Sequence, residues 1–254
     1  MQNLSERGWR EMSETMDLHH SIDAKHAQNI GEQSVSDRVQ AVIEIVKNSY
    51  DADALNCTVK FFARSGGSGT LVHIDKIVIS DDGIGMTFDD IKNKWMRLAT
   101  ASKIKDNKSP KFARTVSGQK GMGHFATQKL GSKIVIISNP EMYNGRKGSD
   151  DYDKTFVLST DWDMYTPGKS FDEIPNRLVI EPRNDELNQK LYTCKYGLTV
   201  EITNLKEDWT KADVEKVQRH LGALQIPKFL RSTEKNVFNA EVKTDGLNIE
   251  ILEE

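Results

Sequence analysis

Apolar positions recur along this chain in two rhythms, one helical and one alternating, and these predict most of its elements. Val35, Val39, Val42 and Val46 repeat at spacings of four and three behind Asp37, a residue suited to cap a helix. The stripe they form should face a core. On the opposite side Glu44, Asn48 and Asp51 follow at offsets of four and seven, which places all three on one narrow polar stripe. Strand-like alternation comes next at 57–62 and 74–80, separated by the turn-forming run SGGSGT, and predicts a hairpin.

Further short apolar runs at 133–138, 155–159, 178–180 and 198–202 have strand length, with Gly, Pro, Asn and Asp between them. Helical spacing appears at 88–98, 124–130 and 213–224, the last with Thr210 and Asp213 in the register of a capping box. Gly131 is placed to end the second of these helices. Neighbouring hairpins with a few helices predict an α+β two-layer sandwich, its helices over one face of a mixed, mostly antiparallel sheet. The regular strand–helix alternation that a parallel sheet requires is missing.

Composition narrows the functional classes. The chain has 254 residues, 35 Lys plus Arg against 38 Asp plus Glu, a net charge of -3, and 37% hydrophobic residues, which suffices for a packed core. No apolar run approaches the roughly 20 residues of a membrane span, and mean hydropathy is -0.58. The polar N-terminus has no secretory apolar core, so a cytoplasmic location with no membrane partner is expected. Cys57 and Cys194, far apart and without CxxC spacing, suggest neither a disulfide framework nor a zinc site. His19, His20 and His26 lack a partner set for metal binding.

Two glycine-rich segments carry the candidate chemistry. In SDDGIGMT (80–87), Gly83 and Gly85 allow a sharp turn and close approach to a flat ligand, with Met86 beside it. Asp81 presents a carboxylate that accepts hydrogen bonds, which suits the exocyclic amine of adenine and opposes the O6 acceptor of guanine. In SGQKGMGHFATQKLG (117–131), Gly118, Gly121 and Gly123 lead into a helix whose free N–H groups and positive end fit a phosphate. Neither the Walker nor the dinucleotide-binding fingerprint matches it. Between the two lies a basic run with Lys103, Lys105, Lys108, Lys111, Arg114 and Lys120, readable as a solvated loop or as a lid over a bound phosphate.

Taken in order, AVIEIVKNSYDADA (41–54), DDGIGMT (81–87), RLATASKI (97–104) and GQKGMGHFA (118–126) resemble the GHKL superfamily of ATPases. That superfamily includes gyrase B, the ninety-kilodalton heat-shock chaperones, histidine kinases, MutL and the MORC proteins, and the look is nearest to bacterial MORC-like or chaperone-like members. The resemblance implies a Bergerat-type fold over residues 35–204, an N-terminal arm at 1–34, and a helical extension at 205–254 that could begin a missing transducer domain. It implies ATP and Mg²⁺ as cofactors. Glu44 would deprotonate the attacking water, Asn48 would ligate Mg²⁺, and Asp51 would support the nucleotide wall. Asp81, Gly83, Gly85 and Met86 would hold the base, with Ser102 and Lys103 in the lid. Gly118, Gln119, Lys120, Gly121, Met122, Gly123 and His124 would surround the phosphates.

One position departs from the family pattern. Where a threonine hydroxyl usually supports the adenine-reading aspartate, direct alignment puts Leu198, with Thr199 one residue on; Thr199 can take that role only if a bulge turns it back. The expected activity is ATP hydrolysis driving lid closure and nucleotide-dependent homodimerisation, with a protein or DNA partner reached through regions outside this chain. A histidine-kinase-like phosphotransferase and an ATP-sensing module with little turnover of its own are the alternatives.

Overall fold

The computed structural model describes residues 21–63, 71–97, 108–117, 123–143, 146, 150–186, 195–224 and 236–245. The elements in chain order are α1 (Ala24–Gln33), α2 (Arg38–Asp51), β1 (Asn56–Ala63), β2 (Leu71–Val72), β3 (Ile74–Asp81) and α3 (Phe88–Asp90). Then come α4 (Gly123–Leu130), β4 (Gly131–Asn139), β5 (Lys154–Asp161), β6 (Arg177–Pro182), β7 (Gly197–Leu205), β8 (Trp209–Thr210), α5 (Lys211–Leu224) and β9 (Asn239–Asp245).

Seven strands form one mixed sheet in the order β6-β5-β4-β7-β3-β1-β9, and β2 pairs with β8 in a small second sheet. Every pair in the large sheet is antiparallel except β1 with β9, which run parallel from Asn56↔Asn239 to Phe62↔Asp245. The predicted hairpin is the β1–β3 pair, Cys57↔Asp81 through Ala63↔Ile74. This is the α+β sandwich expected from the sequence. The segment after residue 204, expected to be a helical extension, supplies α5 and also an edge strand of the main sheet. Residues 24–33, read from sequence as part of an arm, form α1, which packs on α4.

The helices form where their caps and apolar stripes predict. Asp37 caps α2 by accepting the Gln40 N–H at 2.8 Å. Val35, Val39, Val42 and Val46 are all buried, in one cluster with Val59, Phe61, Ile77, Ile79, Ile136, Val200 and Ile202 of the sheet. Thr210 and Asp213 exchange the two bonds of a capping box ahead of α5. The helix expected at 88–98 differs from a regular one. Only α3 is α-helical; the chain continues as a π-helical turn, Ile91–Trp95, closed by Met96 N–H on the Ile91 carbonyl at 2.9 Å.

Topology gathers the chemistry at one end of the sheet. Asp81 ends β3, Asn139 ends β4, Gly197 opens β7 and Asn56 opens β1, so the chain turns of all four strands meet there. The last turn of α2 reaches the same end, where Ala52 accepts the Ile84 N–H at 2.9 Å.

Candidate functional site

Asp81 is buried at the close of β3, and its two oxygens are held by three donors. Oδ2 accepts the Ser49 hydroxyl at 2.8 Å; Oδ1 accepts the N–H of Gly83 at 2.9 Å and of Leu198 at 3.2 Å. The Cys57 thiol lies 3.5 Å from Ser49 Oγ as its donor, which leaves the serine proton directed at Asp81. Burial pushes the Asp81 carboxyl up to about 6, against the pull of those three donors. A carboxylate offers about four lone-pair sites, so with three described donors one acceptor position remains.

Two glycines make this geometry attainable. Gly85 has φ +58°, and a Cβ there would stand 2.5 Å from the Asn139 carbonyl oxygen. Gly197 has φ +113°, and a Cβ there would overlap the Asp81 carbonyl oxygen. Met86, next in the turn, donates its N–H to Ser138 Oγ at 2.6 Å and accepts the same hydroxyl at its carbonyl at 2.9 Å. One serine thus fixes both backbone groups of the residue expected to line the base.

Thr199 does not reach Asp81. The β3–β7 register runs without a break from Lys76↔Thr203 to Ser80↔Thr199, so no bulge rotates Thr199, and its hydroxyl meets that of Ser80 at 3.0 Å on the opposite face. The hydroxyl on Asp81 is that of Ser49 instead. Its signal in the sequence was available: Ser49 occupies the next position of the valine stripe, three residues beyond Val46, and a polar residue on an apolar stripe needs a partner.

The polar stripe of α2 has one end at the surface and one buried. Glu44 Oε1 accepts from Gln40 Nε2 at 2.6 Å and from Lys47 Nζ at 2.9 Å, with its side chain one-third exposed. Asn48 is half-buried one turn on. Asp51 is buried and accepts both the N–H of Ser117, at 2.8 Å, and its hydroxyl, at 3.1 Å. That bond brings Ser117, the first residue of the second glycine segment, onto the end of α2.

Part of the basic run serves the same junction. Asp53, with φ 61°, accepts the Ser109 hydroxyl and the N–H groups of Lys111 (2.6 Å) and Phe112 (3.2 Å). Arg114 lies between the rings of Tyr50 and Phe112 and donates to the carbonyls of Tyr50, Ala54 and Asn236. Lys111 pairs with Glu141 at 2.7 Å. Lys111 and Arg114, read from sequence as part of a solvated loop or a lid, therefore tie residues 108–117 to the end of α2 and the β9 entrance. Ser102, Lys103, Gly118, Gln119, Lys120, Gly121 and Met122 lie outside the described residues; Gly123 opens α4, whose start is the helix end predicted to face a phosphate.

Two further arginines, unmarked by any motif, brace the same end of the sheet. Arg146 donates to the carbonyls of Ile84 (2.8 Å) and Gly85 (3.2 Å) and pairs with Asp90. Arg183 donates to the carbonyls of Pro140, Tyr152 and Lys195 over the Tyr196 ring. Asp90 is held down to about 2: burial pushes it up, and Lys94 and Arg146 outweigh that. Two recesses lie elsewhere, around Trp95, Met96, Ile136 and Trp162 and around Phe88, Met96 and Leu178; neither is lined by Glu44, Asn48 or Asp81.

A metal ion would find few protein ligands. Among the described residues no three His, Cys, Asp or Glu side chains converge on a metal position. An amide oxygen at Asn48 fits Mg²⁺, which takes few protein ligands and completes its shell with water and phosphate oxygens. No helix among the described residues is long and apolar enough to cross a membrane.

Comparison with known proteins shows the family. The family described as histidine kinase-, DNA gyrase B-, and HSP90-like ATPase matches residues 36–178, which include α2, Asp81 and the second glycine segment. A protein named as the type II restriction enzyme HgiDII of Herpetosiphon aurantiacus is 30% identical over 118 residues, 46% of this chain and 17% of its own length. The DNA mismatch repair protein MutL of Clostridium tetani (strain Massachusetts / E88) is 34% identical over 99 residues, 39% of this chain and 14% of its own. The matched stretches thus span less than one-fifth of either relative.

Proposed function

Because this chain belongs to the family of histidine kinase-, DNA gyrase B- and HSP90-like ATPases, we propose that it binds ATP with Mg²⁺ and hydrolyses it as a conformational switch. The observation that carries the reading is the Ser49–Asp81 hydrogen bond. It joins the candidate base reader to the helix that bears Glu44 and Asn48, so base, metal ligand and general base share one rigid frame.

The remaining acceptor position on Asp81 suits the N6 amine of adenine, and the turn held by Ser138 presents Gly85 and Met86 to the ring. Glu44 then orients and deprotonates water for in-line attack on the γ-phosphate. Asn48 would offer its amide oxygen to Mg²⁺, which would supply neutralisation of the charge that develops in phosphoryl transfer. Gly118 to His124 and the start of α4 receive the phosphates, and Asp51 holds Ser117, the residue before Gly118, at the end of α2.

In this reading ATP draws Ser102 and Lys103 over the site, the closed state associates with a second copy, and hydrolysis releases it. One relative's name is a DNA mismatch repair protein and the other's a restriction enzyme, so duplex DNA is the first partner to test. The decisive experiment is light scattering with and without Mg²⁺-ATP, alongside turnover, on the parent and Glu44→Ala. The switch predicts an ATP-dependent dimer that persists longer in Glu44→Ala while turnover is lost. A monomer under all conditions, or undiminished turnover in the variant, overturns it.

A further inference from the structure

The base-lining turn, Ile84 to Thr87, has little hydrogen bonding of its own and is shaped by groups that reach it from elsewhere. Ala52 accepts the Ile84 N–H from one side, and Glu141 N–H donates to the Ile84 carbonyl at 2.9 Å from the other. Arg146 completes the set. Its Nη1 donates to the Ile84 carbonyl and its Nη2 to that of Gly85, while the same guanidinium pairs with Asp90. Asp90 in turn accepts the N–H of Thr87 at 3.0 Å and its hydroxyl at 2.8 Å, which fixes the far end of the turn.

The pair is enclosed: the side chains of Arg146 and Asp90 are 14% and 12% exposed. Tyr152 donates its hydroxyl to the Arg146 carbonyl at 2.5 Å, and Phe88 N–H is tied to Asp151, so Arg146 and the residues just ahead of β5 hold the turn together. From this arrangement we infer that Arg146, paired with Asp90, is a positioning residue for base recognition, holding Gly85 and Met86 in the conformation that receives adenine. The inference rests on the nucleotide-binding reading above. A lysine could keep the charge pair with Asp90 but could not span two carbonyls and a carboxylate, because only guanidinium presents its donors as a planar fork.

Binding made by the base is uniform between ground and transition states, so its loss appears in KM and leaves kcat in place. The test is calorimetric titration of adenosine and ATP, with KM and kcat for ATP, on the parent full chain, Arg146→Ala and Arg146→Lys. Arg146→Ala should weaken adenosine and ATP by the same factor, about tenfold, with kcat within twofold of the parent, and Arg146→Lys should recover part of the loss. The double variant Arg146→Met with Asp90→Asn removes both charges of the pair, takes the guanidinium from both carbonyls and leaves only the Glu141 N–H on that of Ile84; it should show the same adenosine loss and serves if Arg146→Ala does not fold. Adenosine affinity within twofold of the parent in the folded variants, or a loss confined to ATP or to kcat, overturns the assignment. A parent that binds neither adenosine nor ATP would instead overturn the nucleotide reading itself.

Discussion

Ser49 and Asp81 meet at 2.8 Å across the junction of α2 and β3, and this contact replaces the one that the sequence pattern leaves open at Leu198 and Thr199. Asp81, the proposed adenine reader, is therefore supported from the helix side of the sheet. Leu198 still contributes, through its backbone N–H.

Ser49→Ala should leave Oδ2 of Asp81 without its hydroxyl donor while Gly83 and Leu198 keep Oδ1. Adenosine affinity at pH 7 is expected to fall about fivefold to tenfold, the cost of one hydrogen bond to a charged group. Titration calorimetry reads this directly, and an affinity equal to the parent's would assign the support of Asp81 to the backbone alone.

Asp81 also sets a pH dependence. Its folded carboxyl sits at about 6, above the ordinary 3.8, so between those values the native state binds a proton that the unfolded chain releases. Its contribution to stability is fully present below 3.8 and is lost as pH rises through about 6. Asp81→Asn should flatten that slope, at most about 1.4 kcal/mol per pH unit, in denaturant midpoints measured from pH 4 to 7. Adenosine affinity of the parent should drop below pH 6, where the acceptor carboxylate becomes protonated, and that of Asp81→Asn should be low and flat.

Glu44→Gln removes the proposed general base and keeps the shape of the stripe, with Gln40 and Lys47 still beside it. Turnover is expected to fall by about 10²-fold or more while ATP affinity stays within threefold of the parent. A parallel loss of affinity would mean that Glu44 acts in binding.

Arg114→Ala strips donors from three carbonyls at the end of α2 and the start of β9 and leaves a gap between two rings. A loss of about 1–2 kcal/mol in denaturant unfolding is expected, the range for two part-buried hydrogen bonds with lost packing. Lys111→Ala, which breaks an ion pair with one-third of its lysine exposed, should cost less than about 1 kcal/mol.

Gly197→Ala forces a side chain to φ +113° and into the Asp81 carbonyl oxygen. It should abolish adenosine binding and destabilise by about 3 kcal/mol or more, because backbone rather than a flexible side chain must yield. Gly168→Ala, which has a positive φ and open space around it, should show only the smaller conformational cost.

What the sequence revealed depended on how local the physics is. The valine stripe, Asp37 as a cap, the Thr210–Asp213 box and the hairpin are set within a few residues of each other, and each appears where periodicity places it. The first glycine turn and the Glu44–Asn48–Asp51 stripe of α2 were legible for the same reason. Arg146, Arg183 and Arg114 were not, because each donates to carbonyls tens of residues away that carry no side-chain signature. The parallel strand β9 was hidden for a related reason: its short polar–apolar alternation names no partner.

That strand has a mechanical side. β9 lies parallel to β1 through seven consecutive pairs, Asn56↔Asn239 to Phe62↔Asp245, and its entrance is gripped by Arg114. A pull along β9 loads those pairs in shear, all together, whereas a hairpin edge opens one pair at a time like a zipper. Tension on this strand is thus passed to β1, and from β1 to the neighbour that ends in Asp81, before the edge can peel.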